Sequence, residues 1–147
     1  MFIIYRSKSG DRTDFTKNVL TDLDGALISP EWYDGENSDS VLIHRGFDTE
    51  YTRFRNKILN IAAKTESKKF IVSGHSLGSA LATLTALDLA SNYKYDVSVV
   101  TFGSPRVGNK DFREVMEKYV PDNYRIYFPD DPIVSIPGLL IEYEHAG

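Results

Sequence analysis

Residues Gly74-His75-Ser76-Leu77-Gly78 form a G-x-S-x-G pattern. A serine is a weak nucleophile until its hydroxyl is held in the open and a base takes its proton. A sharp strand-to-helix turn does the first of these. The backbone at the serine is strained, and side chains two positions to either side would crowd the turn, so glycine belongs there. The flanks fit: Phe70-Ile71-Val72-Ser73 reads as a strand and Leu77–Ala90 as a helix. The helix N-terminus then points at the serine, and the Leu77 amide is placed to donate to an oxyanion. With Gly and Ser each near 7%, chance puts the pattern in roughly one chain of this length in twenty. The strand and helix around it make the coincidence much rarer. The bland alternative is a serine in an ordinary tight turn.

Nucleophilic chemistry of this kind needs an imidazole within reach of the serine and an acid to orient it. Asp131 follows an apolar run, Tyr124–Phe128, so it falls at a strand's carboxyl end, where the sites of α/β proteins gather. It also comes after the serine, as the order Ser…Asp…His requires. Asp130 competes with it, and either aspartate could be a solvated turn residue. The chain has three histidines, His44, His75 and His145. His75 is next to Ser76, and neighbouring side chains on an elbow point apart. His44 ends a strand but precedes the serine. Both are read as supporting the site rather than reacting in it. By elimination His145, the only late histidine, is the candidate base; the rival reading is a packing residue near a fraying end.

Positioning these residues requires a sheet. Five apolar runs read as strands: Phe2–Tyr5, Val41–His44, Phe70–Ser73, Val97–Phe102 and Tyr124–Phe128. Several lack strict alternation, which is the mark of strands buried on both faces in a parallel sheet. Helical patterns lie between them. One covers about Gly46 to Lys64, with Phe47, Tyr51, Phe54, Ile58 and Ile61 as a stripe expected to face the sheet and Arg55 among the charges between. A second runs from about Ser76 to Ser91. A third runs from about Lys110 to Val120, capped by Asn109 and ended by Pro121. The polar stretches Ser7–Asn18 and Ser29–Ser40 read as loops. Strands alternating with helices predict an α/β domain with right-handed crossovers. The expectation is a mostly parallel sheet of about five to six strands flanked by helices, with Ser76 at the end of a central strand.

The composition fits one such domain. The 147 residues are 41% hydrophobic and 26% charged, enough apolar mass for a single core. The net charge of −4 argues against nucleic acid as a partner. With no cysteine there are no disulfides, thiolate metal sites or cysteine nucleophiles. Three histidines make a histidine-rich metal site an unattractive reading. The start, Met1-Phe2-Ile3-Ile4-Tyr5-Arg6, lacks the pattern of a signal peptide, and no stretch has the ~18 apolar residues of a spanning helix. A cytoplasmic location is the default expectation.

Four motifs in order give the chain a resemblance to the class 3, fungal-type triacylglycerol lipases of the α/β-hydrolase fold. Ile43-His44-Arg45-Gly46-Phe47 resembles V-H-x-G-F. Gly74-His75-Ser76-Leu77-Gly78-Ser79-Ala80-Leu81-Ala82 resembles G-H-S-L-G-G-A-L-A, with Ser79 where glycine is usual. Thr101–Asn109 matches T-F-G-x-P-R-V-G-N, and Asp131–Pro137 resembles D-P-V-P-x-L-P. Tyr5-Arg6 with Thr21-Asp22-Leu23 looks like F-R-G-T…T-D-L. The resemblance implies a serine hydrolase for carboxylic esters, with lipid or small-molecule esters as substrates and peripheral contact with lipid. Ser76, Asp131 and a histidine would act as a triad through an acyl-enzyme, with no metal or organic cofactor. The family's second oxyanion donor falls at Ser7 or Lys8, where its usual glycine and hydroxyl residue are replaced. Its catalytic histidine normally lies further downstream than His145-Ala146-Gly147, so residues 1–147 are expected to be a single domain truncated at both ends relative to the family. The alternative is a relict that kept the elbow and lost the base.

Overall fold

The computed structural model describes residues 1–5, 26–135, 137 and 143–147. Its centre is a four-stranded parallel sheet in the order β1-β4-β5-β6, where β1 is Phe2–Tyr5, β4 Lys69–His75, β5 Asp96–Phe102 and β6 Asn123–Ile126. A separate antiparallel pair joins β2, Leu27–Ile28, to β3, Ile43–His44. Four of the five expected strands therefore lie in the main sheet. The fifth, Val41–His44, is stitched elsewhere: the His44 amide donates to the Val107 carbonyl and the Asn109 amide to the Leu42 carbonyl. An apolar run reports burial, not which neighbour it pairs with.

Among the described residues three helices lie between the strands: α1, Arg45–Lys64; α2, Leu77–Ser91; and α3, Lys110–Tyr119. Every residue of α2 is buried. Its hydroxyls survive there by bonding back to the preceding turn, Thr83 to Ser79, Thr85 to Leu81 and Ser91 to Leu87 at 2.7–2.9 Å. Asn109 caps α3 as expected, its side chain accepting from the Phe112 amide at 3.0 Å.

The stripe expected on α1 is rotated. Phe47 and Tyr51 are buried, but Phe54 is 47% exposed and Ile61 45%. The inward line runs Phe47, Tyr51, Arg55, Ile58 and Ala62, and it packs on α2 rather than on the sheet. The reason is Asp88, fully buried in the middle of α2. It accepts hydrogen bonds from Tyr51 Oη at 2.5 Å, Arg55 Nε at 2.6 Å and Asn92 Nδ2 at 2.7 Å. A buried carboxylate demands such partners, and α1 turns its polar pair toward it.

The sheet's two faces differ. Phe70, Val72, Val97, Val99 and Thr101 point into the core under the helices. In register on the other side stand Phe2 beside Ile71, Ile4 in line with Val100 and Tyr124, and Phe102 beside Ile126. Phe2 and Ile4 are 71% exposed, Tyr124 and Ile126 more than half, while Ile71 and Phe102 are less exposed and Val100 is half-buried. Among the described residues no helix is long and apolar enough to cross a membrane.

Candidate active site

Ser76 stands where β4 ends and α2 begins, one strand in from the sheet's edge. Its backbone has φ 55° and ψ −127°, a left-handed conformation that costs a non-glycine residue of order 1–3 kcal/mol. The two glycines of the motif make that turn possible. A Cβ at Gly74 would lie 2.1 Å from the Gly78 carbonyl oxygen. One at Gly78 would lie 2.9 Å from the Tyr5 carbonyl oxygen. The sharp turn thus exists because helix and strands touch backbone to backbone. The Ser76 amide donates to the Phe102 carbonyl at 2.9 Å, and the Ser79 amide to the Ser76 carbonyl at 2.8 Å. Leu77 is the first helical residue, so its N–H is one of the amides a helix leaves without an internal partner.

Asp131 reaches the same corner from the next loop. The φ of Gly103 is +55°, and a Cβ built there would sit 2.9 Å from Asp131 Oδ2 and 3.9 Å from His75 Nε2. The carboxylate and the His75 ring therefore converge on the peptide that follows β5, next to the elbow. Asp131 Oδ1 accepts from the Ile133 amide at 3.0 Å, and the Val134 amide donates to the Asp131 carbonyl. These bonds open the 3-10 turn Pro132–Ser135. Arg106 secures the far end of that turn, donating from Nη1 to the carbonyls of Ser135 at 3.0 Å and Pro137 at 2.7 Å. It anchors the loop through backbone carbonyls.

The other histidines are elsewhere. His44 is buried at the start of α1, where its Nδ1 accepts from the Gly46 amide at 3.0 Å. Its ring packs on Phe47 and Tyr143, and burial lowers its pKa. It supports a helix start and is in no described contact with Ser76. His145 lies beyond the isolated bridge between Gly108 and Glu144. Burial, reinforced by the positive charges of Arg125 and Arg106, lowers its pKa to about 4, while a hydrogen bond to the Val134 backbone works the other way. Its Nδ1 is buried with no hydrogen-bond partner. The ring thus sits against the turn that follows Asp131, beside guanidinium groups, and no described contact joins it to Ser76 or to the Asp131 carboxylate. Ser7 and Lys8 lie outside the described residues.

The sequence missed two contributors. Ser79 and Gly103 both touch this corner through contacts that sequence spacing does not reveal. A cleft of about 420 Å³ lined by Trp32, Asp48, Arg55 and neighbours shares no residue with the corner.

Residues 12–141 match the family described as Lipase (class 3). The chain belongs to the class 3 lipase family. Relatives agree with this placement. The chain is 39% identical to a chloroplast and mitochondrial phospholipase A1 of Oryza sativa subsp. indica, over 91% of this chain and 35% of that protein. It is 32% identical to the secreted mono- and diacylglycerol lipase A of Penicillium cyclopium, over 74% of this chain and 36% of the relative. Among solved structures, a fungal lipase superposes with a TM-score of 0.79 at 26% identity, covering 99% of this chain and 52% of that one. Lipase II from Rhizopus niveus gives 0.76 at 25% identity, covering 88% and 50%. The fold is accordingly that of the α/β-hydrolases. The chain spans less than two fifths of the length of these curated relatives and about half of these solved chains. In this class 3 lipase family member, Ser76 stands at the carboxyl end of β4 and Asp131 follows the carboxyl end of β6, with β5 between the two strands.

Proposed function

We propose that the protein hydrolyses carboxylic esters of lipids through an acyl-enzyme on Ser76, meeting its substrate peripherally at a lipid surface. The observation that carries this reading is the strained Ser76 on a glycine-built elbow with the Asp131 carboxylate approaching the adjoining strand end. The relatives' names, a phospholipase A1 and a mono- and diacylglycerol lipase, support lipid esters as the substrate class.

In this scheme Ser76 Oγ attacks the ester carbonyl carbon while an imidazole takes its proton. The carbonyl oxygen becomes an oxyanion, and the Leu77 amide at the start of α2 donates to it, with Ser7 or Lys8 proposed as the second donor. Collapse expels the alcohol, which receives the proton from the imidazolium. Water activated by the same imidazole then releases the acid and restores Ser76. Asp131 orients the imidazole and stabilises its charge. For His145 to be that imidazole, its ring would have to leave its place beside Arg106 and Arg125; His75 already lies at the Asp131 corner.

A fluorophosphonate probe tests the proposal, because it labels only an activated serine. Wild type should be labelled and Ser76→Ala should not. Triad members act as a unit, so replacing the base should cost nearly as much as replacing the serine. His145→Ala, His75→Ala and His44→Ala therefore assign the base. Labelling that survives all three places it outside these histidines. A folded wild type that takes no label overturns the hydrolase reading.

A further inference from the structure

Ser79 occupies the place where the family pattern carries glycine, and it is fully buried. We infer that Ser79 is a positioning residue for the nucleophile: its hydroxyl clips the first turn of α2 to the carboxyl ends of β4 and β5, holding Ser76 in its left-handed conformation. This rests on the reading of Ser76 as the nucleophile.

Ser79 Oγ lies 2.8 Å from the Gly74 carbonyl oxygen and 2.9 Å from that of Phe102. A hydroxyl has one proton, so the two carbonyls share a single donor in a three-centre bond. Both carbonyls matter to the elbow. Gly74 is the last residue but one before Ser76, and Phe102 already accepts the Ser76 amide at 2.9 Å. Ser79 also gives its own amide to the Ser76 carbonyl. The turn is thereby tied on both flanks of its strained residue. The tie extends to the acid. Gly103 follows Phe102, donates its amide to the Ile126 carbonyl at 2.8 Å, and leaves the space that Asp131 Oδ2 fills. Nucleophile and acid are thus both registered on the Phe102–Gly103 unit, and Ser79 fixes the nucleophile to it. A glycine at this position has no hydroxyl to make the tie. A strained conformation persists only where its surroundings over-determine it, and this bond is one of those determinants.

The test uses Ser79→Ala, which removes only the hydroxyl, and Ser79→Thr, which restores one. Three quantities are read on the purified protein: the rate of fluorophosphonate labelling, amide hydrogen exchange peptide by peptide, and the melting temperature. Ser79→Ala should label about tenfold more slowly, the factor expected for one lost hydrogen bond. Exchange should quicken in the peptide spanning residues 74–80 and not in α1 or α3. Kinetically, kcat on a short ester should fall with KM unchanged, and Ser79→Thr should recover most of it. Wild-type labelling and unchanged elbow exchange in Ser79→Ala overturn the inference. So does exchange that quickens equally in all helices, since that makes Ser79 a packing residue. If wild type takes no label while Ser79→Ala still loosens residues 74–80 alone, the clip stands and the hydrolase reading falls.

Discussion

Arg55 holds Asp88 in a two-pronged grip, Nε at 2.6 Å from one carboxylate oxygen and Nη2 at 3.2 Å from the other. Asp88 is fully buried, whereas the Arg55 side chain keeps 22% of its surface in water. Removing one partner of a buried pair leaves an uncompensated charge, so Arg55→Ala should cost about 3 kcal/mol. Phe54→Ala, one residue away on the wet side of α1, should cost within about 1 kcal/mol. Urea unfolding of both variants checks the order, and a larger loss at Phe54 would show that α1 is rotated from its described orientation.

Gly74→Ala should be among the most damaging single-methyl changes in the chain. Its Cβ would meet the Gly78 carbonyl at 2.1 Å and the Ser79 nitrogen at 2.7 Å, both backbone atoms. Overpacking of this kind costs about 3 kcal/mol or more and must open the elbow. Loss of thermal stability and of phosphonate labelling together is the expected result. A variant that melts and labels like wild type contradicts the close approach.

Acid should weaken the fold through its buried histidines. The folded pKa of His145 is about 4 against an ordinary 6.5, and that of His44 is lowered as well. Between those values the unfolded chain binds protons that the folded one refuses, so stability is full above pH 6.5 and falls as pH drops toward 4. Because the ring is only half-buried, solvent screening holds the His145 contribution well below the roughly 3 kcal/mol of the full shift. Replacing His145 by Gln should flatten the pH dependence of the melting temperature over this window. An unchanged slope would mean that its ring is solvated.

The open sheet face should bind apolar dyes and promote self-association. Ile4 and Tyr124 are exposed there in register across the sheet, and Ile126 is exposed two residues along from Tyr124. Lysines at Ile4 and Tyr124 should lower dye fluorescence and favour the monomer in light scattering, with little change in melting temperature. Destabilisation on the scale of a core substitution would show that this face is covered in solution.

The corner around Ser76 was legible where local backbone demands dictate residue type. The elbow needs Gly74 and Gly78 around Ser76, so a local pattern revealed it, and the strand before it carries Phe70 and Val72 toward the core. Asn109 was legible as a cap for the same reason. What failed depended on partners distant in sequence. The α1 stripe has two nearly equivalent apolar lines, and only Asp88, 33 residues beyond Arg55, chooses between them. Val41–His44 is apolar enough for a central strand, yet its partners are Leu27–Ile28 and the loop at Gly108. His145 was selected by elimination; its neighbours Arg106, Arg125 and Val134 come from three separate stretches of chain.

The one-sided sheet also has a thermodynamic signature. Heat capacity and denaturant sensitivity of unfolding both grow with the surface newly wetted, and Phe2, Ile4, Tyr124 and Ile126 are wet before unfolding starts. A chain of 147 residues ordinarily shows a heat-capacity increment of about 1.8–2.2 kcal/mol/K. This one should fall short of it, with a correspondingly shallow urea transition and a flatter stability curve against temperature. Anything that closes over that face adds to the increment in proportion to the apolar area it shields, so calorimetry can measure the extent of coverage without identifying what provides it.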